Sequence, residues 1–271
     1  MEKRFLFLSV IFLAALVGLA GSPASAQFQP QIAGRQPVES QLDPIPSRTQ
    51  RFQTAEGPLI IHPIQHASFV MQWNDQTIFV DPVGGLDLYK QFPKANLILL
   101  THDHGDHLNQ DVIDGVSSDF TQIIAPAPVI EKLNASSKPR AILMANGDKK
   151  TLGAVSIEAL PMYNTTPERL RYHQKGKGNG YVLTLGGKRI YISGDTEDIP
   201  EMRALRNIDI AFVCMNLPYT MSVEQAADAV RDFKPKIVYP YHYRGSNLEK
   251  FKTLVGADLP IEVKIVDWYA K

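Results

Sequence analysis

Three of the seven histidines in this 271-residue chain fall within one short stretch, Thr101-His102-Asp103-His104-Gly105-Asp106-His107. Side chains two apart on extended backbone project to the same side, so His102 and His104 can reach one point. Gly105 permits a sharp change of direction, after which Asp106 and His107 can aim at a second point nearby. Imidazole and carboxylate together form the ligand set of Zn, Mn or Fe, not of Ca or Mg. A structural zinc site would more often draw on cysteine and close its coordination at four ligands, and the chain has only one cysteine. An acid among the histidines at the end of an apolar run therefore points to an open, catalytic metal site.

The elements that must position this cluster can be read around it. Residues 96–101, NLILLT, form a continuous apolar run of the kind seen in a strand covered on both faces. Before it, PLIIHPI, HASFVMQW and QTIFVDPV are short β-rich runs with Asn74-Asp75 as the clearest turn. After it come a helix around 109–116, the strand TQIIAP, the helix VIEKLN, a turn at Asn146-Gly147-Asp148 and the strand VSIEALPMY. A hairpin turning at Gly186-Gly187 joins GYVLTL to KRIYISGD. The rest alternates: helix near 200–205, strand IDIAFVCM, helix 223–233, strand KIVYP, helix near 247–254, strand IEVKIV. Ser222 and Gln225 form a capping box for the 223–233 helix, whose Ala226, Ala227, Val230 and Phe233 make one apolar face. Hairpins first and alternating elements later predict two mixed sheets packed together with helices outside. A loose two-half logic shows too, since an apolar strand runs into an Asp-bearing turn at 97–107 and again at 189–196.

Residues 1–26 predict a signal peptide: Lys3 and Arg4, an apolar run from Phe5 to Ala20, and a small-residue cleavage site ending at Ala26. Such a run is short for crossing a bilayer, which takes about 20 residues. The expectation is an exported protein, periplasmic or secreted, with no stable membrane insertion after cleavage. Residues 27–57, polar and broken by prolines, read as an extended lead-in or surface strap, and 58–271 as the folded domain. With 28 basic against 28 acidic residues, the chain lacks the basic excess of a nucleic-acid binder. Cys214, inside IDIAFVCMN, reads as a core thiol.

His102-x-His104-x-Asp106-His107 resembles the H-x-H-x-D-H signature of metallo-β-lactamase-fold hydrolases. Asp195 in YISGDT matches that family's bridging acid, and His242 in VYPYHY its last histidine. The order agrees over about 58–268, and the local flavour is similar to the branch holding ascorbate-phosphate lactonases and N-acyl-phosphatidylethanolamine phospholipase D. The resemblance implies an α/β fold, a four-layer αββα sandwich of two mixed sheets with outer helices. It implies two divalent metal ions, zinc first, with Mn or Fe as alternatives. His102 and His104 would hold one, Asp106, His107 and His242 the other, with Asp195 bridging. The family usually adds a third histidine to the first metal, and only His173 lies between residues 107 and 195. It stands nine residues beyond the strand end at Tyr163-Asn164, so either its loop folds back, or Asn164 or water substitutes.

By the same resemblance Asp81 would accept a hydrogen bond from a ligand histidine, though a turn-forming Asp before Pro82 is an equal reading. His66 matches the family's G-H-x-S/T motif but follows Gln65 where Gly is usual. His62 reads as structural and Asp103 as outward-facing. Candidate substrate contacts are Tyr219 and Lys175, then Tyr241, Tyr243 and Lys177, with Arg169 and Arg171 adding positive charge to the 169–177 loop. The expected function is hydrolysis of an ester, lactone or phosphodiester by a metal-bridging hydroxide, with Asp106 and Asp195 in the catalytic machinery and a small molecule as substrate. Alternatives are a non-catalytic metal- or ligand-binding protein on the same fold, and a true β-lactamase. The latter fits poorly, since Cys214 is misplaced for a cysteine-ligated centre and Asp195 is present.

Overall fold

The computed structural model describes residues 48–269; the expected leader 1–26 and the lead-in as far as residue 47 lie outside the described residues. Chain order builds two seven-stranded sheets, one after the other. The first comprises β1 (Gln50–Thr54), β2 (Gly57–Gln65), β3 (Ser68–Trp73), β4 (Gln76–Val80), β5 (Leu97–Leu99), β6 (Gln122–Ala125) and β7 (Ala141–Leu143), neighbours in that order. The second comprises β8 (Lys149–Leu152), β9 (Val155–Met162), β10 (Gly178–Leu185), β11 (Lys188–Ile192), β12 (Ile210–Cys214), β13 (Ile237–Tyr241) and β14 (Glu262–Val263). Each begins as an antiparallel meander of four strands and continues with three parallel ones. The two-half logic of the sequence is thus the logic of the fold.

Strand alternation separates the layers. Phe69, Met71, Trp73, Ile78, Val80, Leu97 and Leu99 face a core shared with the second sheet, where Tyr181, Leu183, Ile190, Ile192 and Phe212 lie. Their neighbours Val70, Phe79, Ile98 and Leu100 point the other way, onto α1 (Gln110–Val116) and α2 (Ala127–Lys132). The second sheet carries α3 (Pro200–Arg203), α4 (Val223–Phe233) and α5 (Leu248–Val255). The α4 capping box is formed in full, and its Phe233 meets Tyr191 edge-on with centroids 5.9 Å apart. Gly186 and Gly187, with φ of +51° and +80°, close the β10–β11 hairpin in the left-handed conformation that a two-residue turn requires. The architecture is the expected sandwich.

Four elements depart from the sequence reading. Strand β1 lies inside the stretch 27–57 read as lead-in: it pairs in register from Gln50↔Ile61 to Thr54↔Gly57, and Thr54 Oγ1 receives Trp73 Nε1 at 3.1 Å. Its residues alternate half-buried with exposed, so an edge strand passes for polar loop. Strands β7 and β8 carry no such signal either, β7 being only three residues long and β8 largely exposed. The expected strand IEVKIV pairs only over Glu262–Val263.

Candidate metal centre

The candidate ligands meet at one edge of both sheets. Beyond β5 the chain passes through Leu100 and Thr101, both buried, into a turn that holds the 102–107 cluster. Asp81 follows β4, Asp195 follows β11, His66 follows β2 and His242 follows β13. Three of them, His66, Asp81 and His242, take left-handed backbone with φ of 54°, 40° and 47°. That conformation is costly for residues with a Cβ and is typical of functional positions. It turns each side chain abruptly off its strand.

Two groups of donor atoms result. His102, His104 and His173 form one, with His102 Nε2 and His104 Nδ1 3.1 Å apart. Asp106, His107 and His242, joined by His66, form the other. Asp195 lies between them: its carboxylate oxygens stand 3.4 Å from Nε2 of His107, His173 and His242, and 3.9 Å from Nε2 of His102. Nε2 of His107, both ring nitrogens of His173 and His242, and Asp195 Oδ1 are buried without a hydrogen-bond partner among the described residues. Leaving so many polar atoms unpaired would cost about 1–3 kcal/mol each, whereas nitrogen and oxygen donors converging on common points are what a Zn, Mn or Fe ion needs. The donor set fits a divalent metal.

Protonation is arranged to match. Burial opposes charge on Asp195, but the surrounding His242, His107 and His102 overcome it and hold the carboxyl well below its ordinary range. Burial also lowers His102, with His107 adding to the effect, and lowers His173 despite Asp195. Both rings therefore carry free lone pairs. His107 runs the other way: burial is outweighed by Asp195 and Asp81, which raise it well above its ordinary value.

Asp81 sets the tautomers. Its Oδ1 accepts Thr101 N–H at 2.8 Å, and its Oδ2 accepts the Thr101 hydroxyl at 2.6 Å and His107 Nδ1–H at 2.7 Å. Because the Thr101 hydroxyl is donated to Asp81, its oxygen accepts from His102 Nδ1–H at 2.9 Å. One buried carboxylate thus turns Nε2 of both His102 and His107 toward the centre, as second-layer carboxylates of metal sites do. On the other side the Tyr269 hydroxyl accepts Arg244 N–H at 3.1 Å and sits 2.8 Å from His66 Nδ1. It can therefore donate to that nitrogen, leaving His66 Nε2–H for Asp106 Oδ2 at 3.1 Å.

The nine-residue gap before His173 is bridged by its loop folding back. Asn164 N–H donates to His173 O at 2.9 Å, and its Nδ2 to the carbonyls of Arg169 and Tyr219 at 3.0 and 2.7 Å. Fully buried Glu197 gathers Thr165 N–H and Thr166 N–H, both at 2.6 Å, and the Arg169 guanidinium. Asn164 thus builds the loop, and His173 is the residue brought to the centre. Glu197, Thr101 and Tyr269 were not singled out from sequence. The only sequence signal for Glu197 was its place two residues after Asp195.

The other candidates fall as follows. His62 is held by Thr49 and Gln72, and Asp103 pairs outward with Lys132 at 2.6 Å. Burial pushes the Cys214 thiol up to about 12, which leaves it no role as a nucleophile. Tyr219 lines a cavity of about 1190 Å³ that opens over the centre, together with Arg48, Tyr172, Leu217, Arg244 and Tyr269. Lys175 does not: its ammonium pairs with Glu201 at 2.7 Å and rests on the Tyr163 ring, because Glu201 offers it a carboxylate on the outer surface. Arg169 is committed to Glu197, Tyr241 is in the core, and Tyr243 bonds Val266 O at 3.1 Å.

This fold and this constellation define a metal-dependent hydrolase, and the chain belongs to the metallo-β-lactamase superfamily: the model of the β-lactamase superfamily domain matches residues 61–242. It is similar to UPF0173 metal-dependent hydrolases from Thermococcus kodakarensis, 29% identical over 204 residues (70% of this chain, 89% of that protein), and from Geobacillus sp., 31% identical over 191 residues (66% and 82%). Among solved structures, one of a protein described as a metal-dependent hydrolase from Parabacteroides distasonis is 43% identical with a TM-score of 0.75, covering 80% of this chain and 97% of that one. Igni18, a metallo hydrolase from Ignicoccus hospitalis, shares the fold at 20% identity and a TM-score of 0.64, covering 77% of this chain and 95% of its own.

Proposed function

We propose that the protein is an exported, binuclear-metal hydrolase of small esters, lactones or phosphodiesters, most readily loaded with zinc. The observation that carries this reading is the placement of Asp195, which groups with His102 and His107, one residue from each of two other groups of potential ligand atoms. His102, His104 and His173 would hold one cation, Asp106, His107 and His242 the other, with Asp195 facing both. Bound divalent cations would supply Lewis acidity and lower the pKa of water toward about 7. The chain's residues do the rest. Asp81 and Thr101 orient two ligand rings, His66 holds the Asp106 carboxylate, and ionised Asp195 offsets positive charge in a buried setting. The cavity wall, with Tyr172, Asn216 and Tyr219, receives the substrate. Small-molecule substrates accord with a pocket of this size, and the balanced charge gives nucleic acid no footing.

The test is expression of the full chain, mass determination of the product's N-terminus, metal analysis, and assay against lactone, phosphodiester and β-lactam panels. A start at Gln27, two metal equivalents per chain, and turnover of a lactone, ester or phosphodiester are expected. Asp195→Asn should lower that turnover by at least about 100-fold, in line with loss of a charge that stabilises the reacting centre. Equal activity in this variant would remove the mechanism.

A further inference from the structure

The cavity wall carries a charge pattern that hydrolysis alone leaves unused. Among its described lining residues the carboxylates are Asp106 and Asp195, both occupied with the histidine cluster. The remaining formal charges on the wall are Arg48 and Arg244. Among the described residues neither guanidinium meets a carboxylate. Arg48 donates through Nη1 to the main-chain oxygens of Asp267 and Ile64, at 3.1 and 3.5 Å. Arg244 lies over the Tyr269 ring, 5.4 Å from its centroid.

Contact with a ring uses up none of a guanidinium's N–H hydrogen bonds, the donors that pair with a carboxylate or phosphate. Arg244 is also tied to the centre. It stands two residues beyond His242, and its main-chain N–H donates to the Tyr269 hydroxyl that holds His66. Tyr172, Leu217, Pro218 and Tyr219 make much of the remaining wall apolar. Once cations offset Asp106 and Asp195, the wall is positive wherever it is charged, and a positive cleft concentrates anions.

We propose that Arg244, with Arg48 on the same cavity, binds an oxyanion that the substrate carries apart from its scissile bond. The substrate class is then a small ester, lactone or phosphodiester bearing a free carboxylate or phosphate. This deepens the hydrolytic reading and rests on it.

Binding to the zinc-loaded full chain, measured by calorimetry, tests the clamp without turnover. Glutarate offers one carboxylate to the centre and a second to Arg244, whereas monomethyl glutarate, of nearly the same shape, has only one. Glutarate should bind about 10- to 100-fold more tightly, the range of a charged hydrogen-bonded pair. The advantage should fall to within about threefold in Arg244→Ala and survive in part in Arg244→Lys, which keeps the charge but not the fork. Comparing 3-phosphonopropionate with glutarate tells which oxyanion is preferred. In a kinetic arm, the kcat/KM ratio of 4-nitrophenyl hemiglutarate to its methyl ester should drop by the same factor in Arg244→Ala. Equal affinity for the two glutarates, or a preference that survives Arg244→Ala, overturns the proposal; so does a preference lost only in Arg48→Ala. Failure to cleave either ester counts against the hydrolytic reading, while the calorimetry still decides the clamp.

Discussion

Replacing Asp81 with asparagine changes one buried atom and reverses a proton. In the native chain its two oxygens accept three hydrogens, from Thr101 N–H at 2.8 Å, the Thr101 hydroxyl at 2.6 Å and His107 Nδ1–H at 2.7 Å. Asparagine has one accepting oxygen. With that oxygen kept on Thr101 N–H, the new amide group points its hydrogens at two donors. His107 relieves the clash by moving its proton to Nε2, the atom that faces Asp195 at 3.4 Å. A protonated Nε2 cannot ligate. A cation held with His107 should therefore bind about 10- to 100-fold more weakly, the usual effect of losing a carboxylate behind a metal-binding histidine. The metal-free protein should lose about 2 kcal/mol, the scale of a charged hydrogen bond in a buried place. Competition with a chromogenic chelator reads the affinity, and urea unfolding in EDTA reads the stability. Thr101→Val probes the other arm, since it removes the acceptor of His102 Nδ1–H and should weaken a cation held with His102 instead. Native metal affinity in Asp81→Asn would refute the tautomer argument.

Three further outcomes follow from the geometry. His173→Ala should leave the fold intact while bound zinc falls by about one equivalent per chain by elemental analysis; an unchanged content would deny the residue its place as a ligand. Burial disfavours the charge on Glu197, but hydrogen bonds from Thr166, Thr165 and Arg169 outweigh it and depress the group from 4.5 to about 2. Its contribution is therefore complete above pH 4.5 and lost as pH falls toward 2, about 3 kcal/mol in all. Glu197→Gln should flatten that part of the acid limb in chemical denaturation, and an unaltered limb would count against it. At Gly180 an added Cβ would stand 2.9 Å from Ser193 O and 3.0 Å from Ile192 O, so the strand end that delivers Asp195 must move. Gly180→Ala should cost about 1–3 kcal/mol in thermal unfolding and lower kcat as well, whereas native activity would show that this strand end tolerates displacement.

Much of this was legible because the informative interactions are local. The 102–107 motif follows a doubly buried strand, the Ser222–Gln225 box marks α4, and Gly186-Gly187 marks its hairpin. All lie within a few residues of what they determine. What escaped depends on distant partners. Strand β1 owes its place to β2 and Trp73 rather than to its own pattern. Lys175 lies near His173 in sequence, yet a carboxylate at Glu201 draws it away from the cavity. The return of the 164–173 loop hangs on Glu197, 31 residues from Thr166, and a spacing pattern holds no trace of that contact. Tyr269 likewise reaches His66 across 203 positions.

Neither nest of ligand atoms is complete within one half of the chain. His102 and His104 wait for His173, and Asp106 and His107 wait for His242, each supplied by the second sheet's segment. A polypeptide interrupted anywhere before the last of these keeps the conspicuous His/Asp turn yet can finish only part of the arrangement. Bringing these donor atoms together therefore requires both sheets' segments, not the conspicuous turn alone.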